Sequence, residues 1–456
     1  YYTDNVTWPS ALVFATDMLY TQRGNVEPME RCYPYMRKWM LHLRKEYMNE
    51  EGIITKDRYG DWCVPPESPG LIHSQDPARQ TDGALISTAY YVKMLQLMER
   101  FAAIQGLESD KEMWYEWEQK MKADFNRKFL HVKRGTSVRP GHVLYPDSVF
   151  YGNNTVTANL LPLAFDIVPE DCADDVARNV VATITLVNNE QICCGVIGVQ
   201  WLMRELSERG FSDVAFALAI NKKYPSWGYM AEQGATTIWE LWNGDTANPE
   251  MNSGNHVMLL GDLVTWCYEN LGGIRSGQEI LQTGYRHIVM KPNFEIQNLE
   301  WVNASYHTPY GTVESRWKKN LTHLVWNVTI PCNTTAEVYL PDGNIRKVGS
   351  GNHCFEVDMK TRHPAIVKDE FLYNDAPFPS CHAGTIVELD NGDLVAAFFG
   401  GTYERHPDCC IWVCRKPKGA SEWTAPVLAA DGVFDMNDPA AQILSLIHIS
   451  EPTRPY

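Results

Sequence analysis

Glu240 lies in the string GATTIWELWNGD (234–245), with Trp239 before it and Trp242 after it, two threonines upstream, and Asn243, Gly244 and Asp245 downstream. A carboxylate set among indoles loses hydration and recovers little unless something polar visits it. A sugar is such a visitor, because its C–H faces stack on rings while its hydroxyls need hydrogen-bond partners. The same spacing also suits a helix-end glutamate whose neighbouring tryptophans fill a core, since aromatic side chains usually pack. Two further stretches hold similar residue types. YGDWCVPPESPGLIHSQDPARQTDG (59–83) carries Asp61, Trp62, Glu67, His73 and Asp76 on a Pro- and Gly-rich run. Loops of that length inside compact domains are usually functional or disordered. His256 closes SGNH (253–256), either as a ligand-facing imidazole or as a core histidine with a satisfied ring.

The elements that must position these residues are mainly helical. From about residue 9 to 271 the apolar residues recur at helical spacing. MERCYPYMRKWMLHLRKEYM (29–48) sets Met36, Met40 and Leu43 on one side, and 83–106 with 111–130 form a helical hairpin about the break LESD. Further helices are predicted near 155–165, 171–187, 195–209, 211–221 and 254–271, giving antiparallel pairs stacked into a bundle or toroid. Near 284 the period becomes two. YGTVESRWKKNLTHLVWNVTI (310–330) alternates Val313, Ser315 and Trp317, then Leu324, Trp326, Val328 and Ile330, with KKNLT as the turn. A β-sandwich is expected over 278–366. A last β-rich piece, 382–416, has DNGD as a hairpin turn and is too short to close a domain alone.

The totals narrow the function. The chain has 456 residues, 45% of them hydrophobic and 11% aromatic, which is ample for two or three domains. A formal charge of −16 without a long basic run disfavours a phosphate backbone or an anionic membrane, so no nucleic-acid and no membrane partner is expected. The 12 cysteines, including the adjacent pairs Cys193–Cys194 and Cys409–Cys410, fit neither a disulfide scaffold nor a zinc ribbon and read mostly as buried thiols. No apolar run reaches membrane-spanning length, and the opening YYTDNVTWPS has no initiator Met and no leader, so the chain is expected to start within a longer protein. The tail LSLIHISEPTR (444–454) looks like translated sequencing adapter, and 444–456 is set aside on that ground.

Six strings, in order, carry a close resemblance to the bacterial α-L-rhamnosidases of glycoside hydrolase family 78: YTDNVTWPSALV, YGDWCVPPESP, NNTVTANLLPLAF, CGVIGVQWLMREL, YPSWGYMAEQGATTIWELWNGDT and MNSGNHVMLLGDL. The resemblance covers residues 1 to about 340. It implies a multidomain chain, mainly α, with a partial (α/α)6 catalytic barrel over 1–275 and an all-β sandwich over 278–366. Residues 367–443 resemble the opening of a sialidase-like β-propeller, an incomplete blade in which SEWTAP looks like a degraded Asp-box and Arg405 and Asp408 are most simply a solvated loop.

The implied activity is inverting release of terminal α-L-rhamnose. Such a reaction needs a base and an acid roughly 6.5–9.5 Å apart, on opposite faces of the sugar. The glutamate of the family's TTxWE segment is its general base, and Glu240 holds that position here. By the same resemblance His256 contacts the sugar, Trp62 lines the rhamnose pocket and Asp61 is placed to accept a hydroxyl. Asp4, Trp8, Trp227, Trp239 and Trp242 are pocket wall or core. The family's acid motif, Arg-Asp-Glu followed by Gly-Trp-x-Gly-Asp, does not occur, and VKDEF (367–371) does not replace it. Little or no hydrolysis by this chain alone is therefore expected.

The implied partner is a rhamnose-containing glycan or glycoside, and no cofactor is implied. Secretion to the periplasm or outside the cell suits such chemistry. A non-catalytic carbohydrate-binding protein, or another (α/α)6 glycosidase or lyase, is the alternative.

Overall fold

The computed structural model describes residues 5–67, 70–71, 74–133, 148–248, 250, 252–320, 322–359, 372–373, 376–402, 406, 408–420 and 422–430. The chain divides into two compact units, Tyr1–Thr361 and Arg362–Tyr456.

In the first unit, inner and outer helices alternate. α1 (Ala11–Arg23) stops at Gly24, whose φ of 65° lets its amide reach the Tyr20 carbonyl at 2.8 Å. α2 (Glu27–Tyr47) buries Met29, Tyr33, Met36, Met40 and Leu43, a spacing that turns one face inward. α3 (Gly83–Gln105) is capped by Asp82, which accepts from the Ala84 amide at 2.8 Å, and it is buried nearly all round. α4 (Glu108–Phe129) buries a single stripe, including Trp114, Met121 and Phe125. A helix buried on every side belongs inside and one with a stripe belongs outside.

The hairpin β1 (Leu130–Lys133) and β2 (Ser148–Tyr151) follows, then α5 (Val156–Ala164) and α6 (Glu170–Ala182), which runs on as a π turn over Thr183–Val187. α7 (Leu202–Glu208), α8 (Ser212–Ile220), α9 (Trp227–Glu232) and α10 (Leu263–Trp266), extended by a π turn over Cys267–Leu271, complete the helical part. α1 packs on α3, α3 on α5, α5 on α7 and α7 on α10.

Two predicted helices are shorter than their periodicity implies. Residues 195–201 form a turn in place of the start of a helix, and a distant carboxylate takes up three of their amides, as described below. Over 254–262 the helix is also lost, leaving only a 3-10 turn at Val257–Leu260. Gly261, at φ 58°, lies so close to Val199 that a Cβ there would meet the Val199 carbonyl oxygen at 2.3 Å. Asp262 next to it is buried and accepts from the Met203 and Arg204 amides at 3.2 and 3.0 Å, closing the first turn of α7.

β3 (Ile274–Ser276), β4 (His287–Met290), β5 (Trp301–Thr308), β6 (Gly311–Lys319), β7 (His323–Ile330), β8 (Thr335–Tyr339), β9 (Ile345–Val348) and β10 (Gly351–Asp358) make two four-stranded sheets, ordered β10-β7-β6-β5 and β3-β4-β8-β9. The alternating residues of 310–330 do point inward: Val313, Ser315, Trp317, Leu324, Trp326, Val328 and Ile330 are all buried. The Trp326 indole donates to Ser315 Oγ at 2.9 Å, and that of Trp317 donates to the Leu271 carbonyl at 2.9 Å, tying the sheet to the end of the helical part.

The second unit is a four-stranded antiparallel meander of β11 (Ser380–Glu388), β12 (Leu394–Gly401), β13 (Cys410–Lys416) and β14 (Val427–Ala430), in sequence order. DNGD makes the predicted turn between β11 and β12, with Gly392 at φ 82°. Residues 444–456 and Arg405 lie outside the described residues, and the Asp408 carboxylate is engaged by Thr402 and His406. None of the 12 cysteines is disulfide-bonded. Cys332, Cys354 and Cys381 are exposed and only Cys63, Cys172, Cys194 and Cys414 are fully buried, which corrects the expectation of mostly buried thiols.

Replacing Asp262 by Ala removes the acceptor of two amides and of the Arg204 guanidinium, and should lower the unfolding free energy by about 3 kcal/mol. Urea denaturation measures this; a loss within experimental error would contradict the role given to Asp262.

Candidate active site

Asp61 organises the loop that carries Trp62. Its Oδ1 accepts from the Ile197 and Gly198 amides at 2.9 and 3.2 Å, and its Oδ2 accepts from the Gly195 amide at 2.8 Å and the Thr157 hydroxyl at 2.5 Å. The Val196 amide donates to the Trp62 carbonyl at 2.7 Å. Glycine is required on the facing turn, since a Cβ on Gly195 would meet the Trp62 carbonyl oxygen at 2.2 Å and one on Gly198 would meet Thr157 Oγ1 at 2.3 Å. Burial pushes the Asp61 carboxyl up, and the Thr157 hydroxyl and three amides pull it back. With 8% exposure and both oxygens occupied, Asp61 does not face a sugar as expected from its place beside Trp62. It anchors the ring instead.

Trp62 is half-buried and meets Tyr59 edge-on at 5.9 Å, and Tyr59 in turn packs on Trp8 at 4.9 Å. Cys63 is buried at φ 64°. Its thiol is pushed up by burial and then by the charges of Glu240 and Asp61.

Glu240 is not at a helix end, because α9 stops at Glu232 and 237–240 runs alongside 253–256. The Glu240 amide donates to the Ser253 carbonyl at 2.9 Å, the Ser253 amide to Glu240 Oε2 at 3.1 Å, and the His256 amide to the Ile238 carbonyl at 2.7 Å. Glu240 and His256, distant in sequence, thus share one pair of strapped segments. Glu240 is half-buried, with no bond to its Oε1 among the described residues.

The tryptophans separate into two kinds. Trp242, at 1% exposure, and Trp227, at 7%, belong to the core, with rings 5.8 Å apart and the Trp227 indole donating to the Leu259 carbonyl at 2.8 Å. Of the two readings open to them, pocket wall or core, both take the second. Trp239 stays half-buried and lies on Gly244, where a Cβ would meet its ring at 2.7 Å. Asp4 and His73 lie outside the described residues.

Three buried polar atoms on these segments have no hydrogen-bond partner among the described residues: Trp242 Nε1, Asn252 Oδ1 and His256 Nδ1. Unpaired buried polar atoms are rare in folded proteins and call for a water or ligand. Asn252 and Ser253 belong to a string already singled out for His256, but nothing in their spacing marked them. Asn243 was likewise unread as a tie: its amide donates to the Leu71 carbonyl at 2.7 Å, fastening the 59–83 loop onto the Glu240 segment. Glu67 holds that loop from within, accepting from the Ser74 hydroxyl and the Asp76 amide, and these bonds, with the hydroxyl foremost, hold its carboxyl down at about 2. Among the described residues no group of three or more His, Cys, Asp or Glu side chains is placed to hold a metal ion.

Helices packed in the order α1, α3, α5, α7 and α10, followed by a two-sheet β-domain, have the architecture of the six-hairpin class. Residues 1–271 match the bacterial alpha-L-rhamnosidase 6 hairpin glycosidase domain and residues 273–354 the bacterial alpha-L-rhamnosidase C-terminal domain. The chain belongs to the bacterial α-L-rhamnosidase family. It is 29% identical over 353 residues to an alpha-L-rhamnosidase of Formosa agariphila, which covers 76% of this chain and 35% of the relative. To one of Streptomyces avermitilis it is 28% identical over 377 residues, 77% of this chain and 33% of the relative. The chain therefore spans about a third of the length of these curated relatives. Among solved structures, the Streptomyces avermitilis alpha-L-rhamnosidase complexed with L-rhamnose aligns with a TM-score of 0.65 at 26% identity, covering 77% of this chain and 33% of that one. The alpha-L-rhamnosidase from Dictyoglumus thermophilum aligns at 0.67 and 27%, covering 78% and 40%.

Gly195→Ala should destabilise the protein by about 1–3 kcal/mol or more, because the Cβ forces the Trp62 carbonyl away and with it the Asp61 bonds. Thermal melting tests this; an unchanged melting temperature would show that the 61–63 turn is not clamped as described.

Proposed function

We propose that this chain carries the base side of an inverting α-L-rhamnosidase site, acting on terminal α-L-rhamnosyl groups of plant-type polysaccharides or glycosides. Glu240 takes a proton from a water that attacks the anomeric carbon. The bond from that carbon to the leaving oxygen breaks, the configuration inverts, and an acid on the opposite face protonates the leaving oxygen. One observation carries this reading. A half-buried carboxylate with an open oxygen shares its strapped segments with buried polar atoms that have no partner among the described residues, groups able to hold a water and sugar hydroxyls. The solved relative with L-rhamnose bound supports the choice of sugar.

The described carboxylates around Glu240 are poor acids for this reaction. A general acid must keep its proton near neutral pH, which requires a raised pKa. Glu67 is held at about 2, and Asp61 has both oxygens covered. We propose that the acid comes from outside the described side chains. The meander of the second unit, with strands in sequence order, supports a sialidase-like propeller blade as its parent architecture.

A base without an acid can still act when the leaving group needs no proton. The chain should release L-rhamnose slowly from a dinitrophenyl α-L-rhamnoside and negligibly from an alkyl rhamnoside. The pH profile should have one limb in place of a bell, and Glu240→Gln should lower the rate about 10²-fold or more while L-rhamnose still binds. Equal rates for Glu240→Gln and the parent chain would assign the site to binding alone. Brisk turnover of the alkyl rhamnoside would show that an acid is present.

A further inference from the structure

Glu240 is gripped twice by one residue. Its amide donates to the Ser253 carbonyl at 2.9 Å, and the Ser253 amide donates back to its Oε2 at 3.1 Å, so backbone and side chain of Glu240 share a single partner. Ser253 is held in turn from both sides. The Asn252 side-chain amide donates to the Gly244 carbonyl at 2.8 Å, and the Thr237 hydroxyl donates to the Gly254 carbonyl. The Ser253 hydroxyl closes the turn from within, accepting from the Asn255 amide at 3.2 Å and donating to the Asn255 carbonyl at 3.3 Å. The two outer ties therefore bracket Glu240 in the chain, one before it at Thr237 and one after it at Gly244.

A carboxylate with one oxygen engaged and one open is not symmetric as a base. The Ser253 N–H occupies Oε2, and Oε1 keeps its acceptor capacity among the described residues. The direction in which Oε1 points is set by where Ser253 sits. Proton transfer depends on that direction, because a misplacement of about 1 Å can cost on the order of 10²-fold in rate. Thr237 is exposed and Asn252 is half-buried, and neither side chain has a bond to the Glu240 carboxylate among the described residues. What they hold is the strap that does.

We infer that Thr237 and Asn252 are positioning residues that aim Glu240 Oε1 through the Ser253 amide. The inference rests on the proposed base role of Glu240 and assigns the oxygen that acts: Oε1 takes the proton from water as the water oxygen bonds to the anomeric carbon and the leaving oxygen departs with the electron pair of the glycosidic bond.

Rates of the full chain on dinitrophenyl α-L-rhamnoside, with NMR titration of L-rhamnose alongside, test it. Thr237→Val removes an exposed hydroxyl at nearly constant shape and should lower kcat about three- to tenfold while L-rhamnose affinity stays within about twofold. Thr237→Ser, which keeps the donor, should restore the parent rate. Asn252→Ala should lower kcat in the same way. In a Glu240→Gln chain no base is left to aim, so adding Thr237→Val should change the residual rate by less than about twofold. If Glu240→Gln slows the chain about 10²-fold while Thr237→Val and Asn252→Ala run as fast as the parent, the positioning role is overturned and the base stands. A Thr237→Val loss as large in the Glu240→Gln chain as in the parent, or a fall in rhamnose affinity that matches the fall in rate, would overturn it too, since a merely structural role gives those results. Equal rates for Glu240→Gln and the parent would overturn the base and the inference together.

Discussion

Four donors converge on the Asp61 carboxylate, and the placing of the Trp62 turn depends on that convergence. Three backbone amides, at Gly195, Ile197 and Gly198, would be buried without acceptors if Asp61 were apolar, and the carboxylate would be buried without donors if that turn were displaced. Each half therefore requires the other. The result fixes the Trp62 carbonyl on Val196 and the Trp62 ring beside Tyr59. The two glycines admit this approach, and the Thr157 hydroxyl at the start of α5 completes it.

The long helices were legible because local periodicity and tertiary burial agree there. The one-sided stripe of α2 and the paired α3 and α4 follow directly from their apolar spacing, and the inward tryptophans of β6 and β7 follow from a period of two. Periodicity failed where a distant partner took the backbone. Residues 195–201 and 254–262 read as helix, but the first stretch is a turn tied to the loop of Asp61 and Trp62, and contact of Gly261 with the Val199 carbonyl interrupts the second. Both competing groups lie far away in sequence.

The site was legible in its residue types and less so in their orientation. Glu240 and His256 lie on segments that hydrogen-bond to each other, and Glu240 is not at a helix end. Spacing cannot tell the half-buried Trp239 from Trp242 in the core, since that distinction arises from the turn at Asn243 and Gly244, where Trp239 packs on the glycine. Asp61 was misread for a similar reason. A carboxylate beside a pocket tryptophan looks like a ligand for sugar, but its donors come from a turn that no local pattern reveals.

A network bonded on every side around Asp61 lies next to segments whose polar atoms are left unpaired, and that contrast is the physical basis for placing a ligand at Glu240. A ¹H–¹⁵N spectrum of the chain titrated with L-rhamnose measures it most directly. The account predicts a saturable shift for the His256 ring, with little change at the buried indoles of Trp227, Trp242 and Trp266. If saturating rhamnose does not move His256, that ring does not mark a sugar site and the reading of Glu240 as its base is wrong.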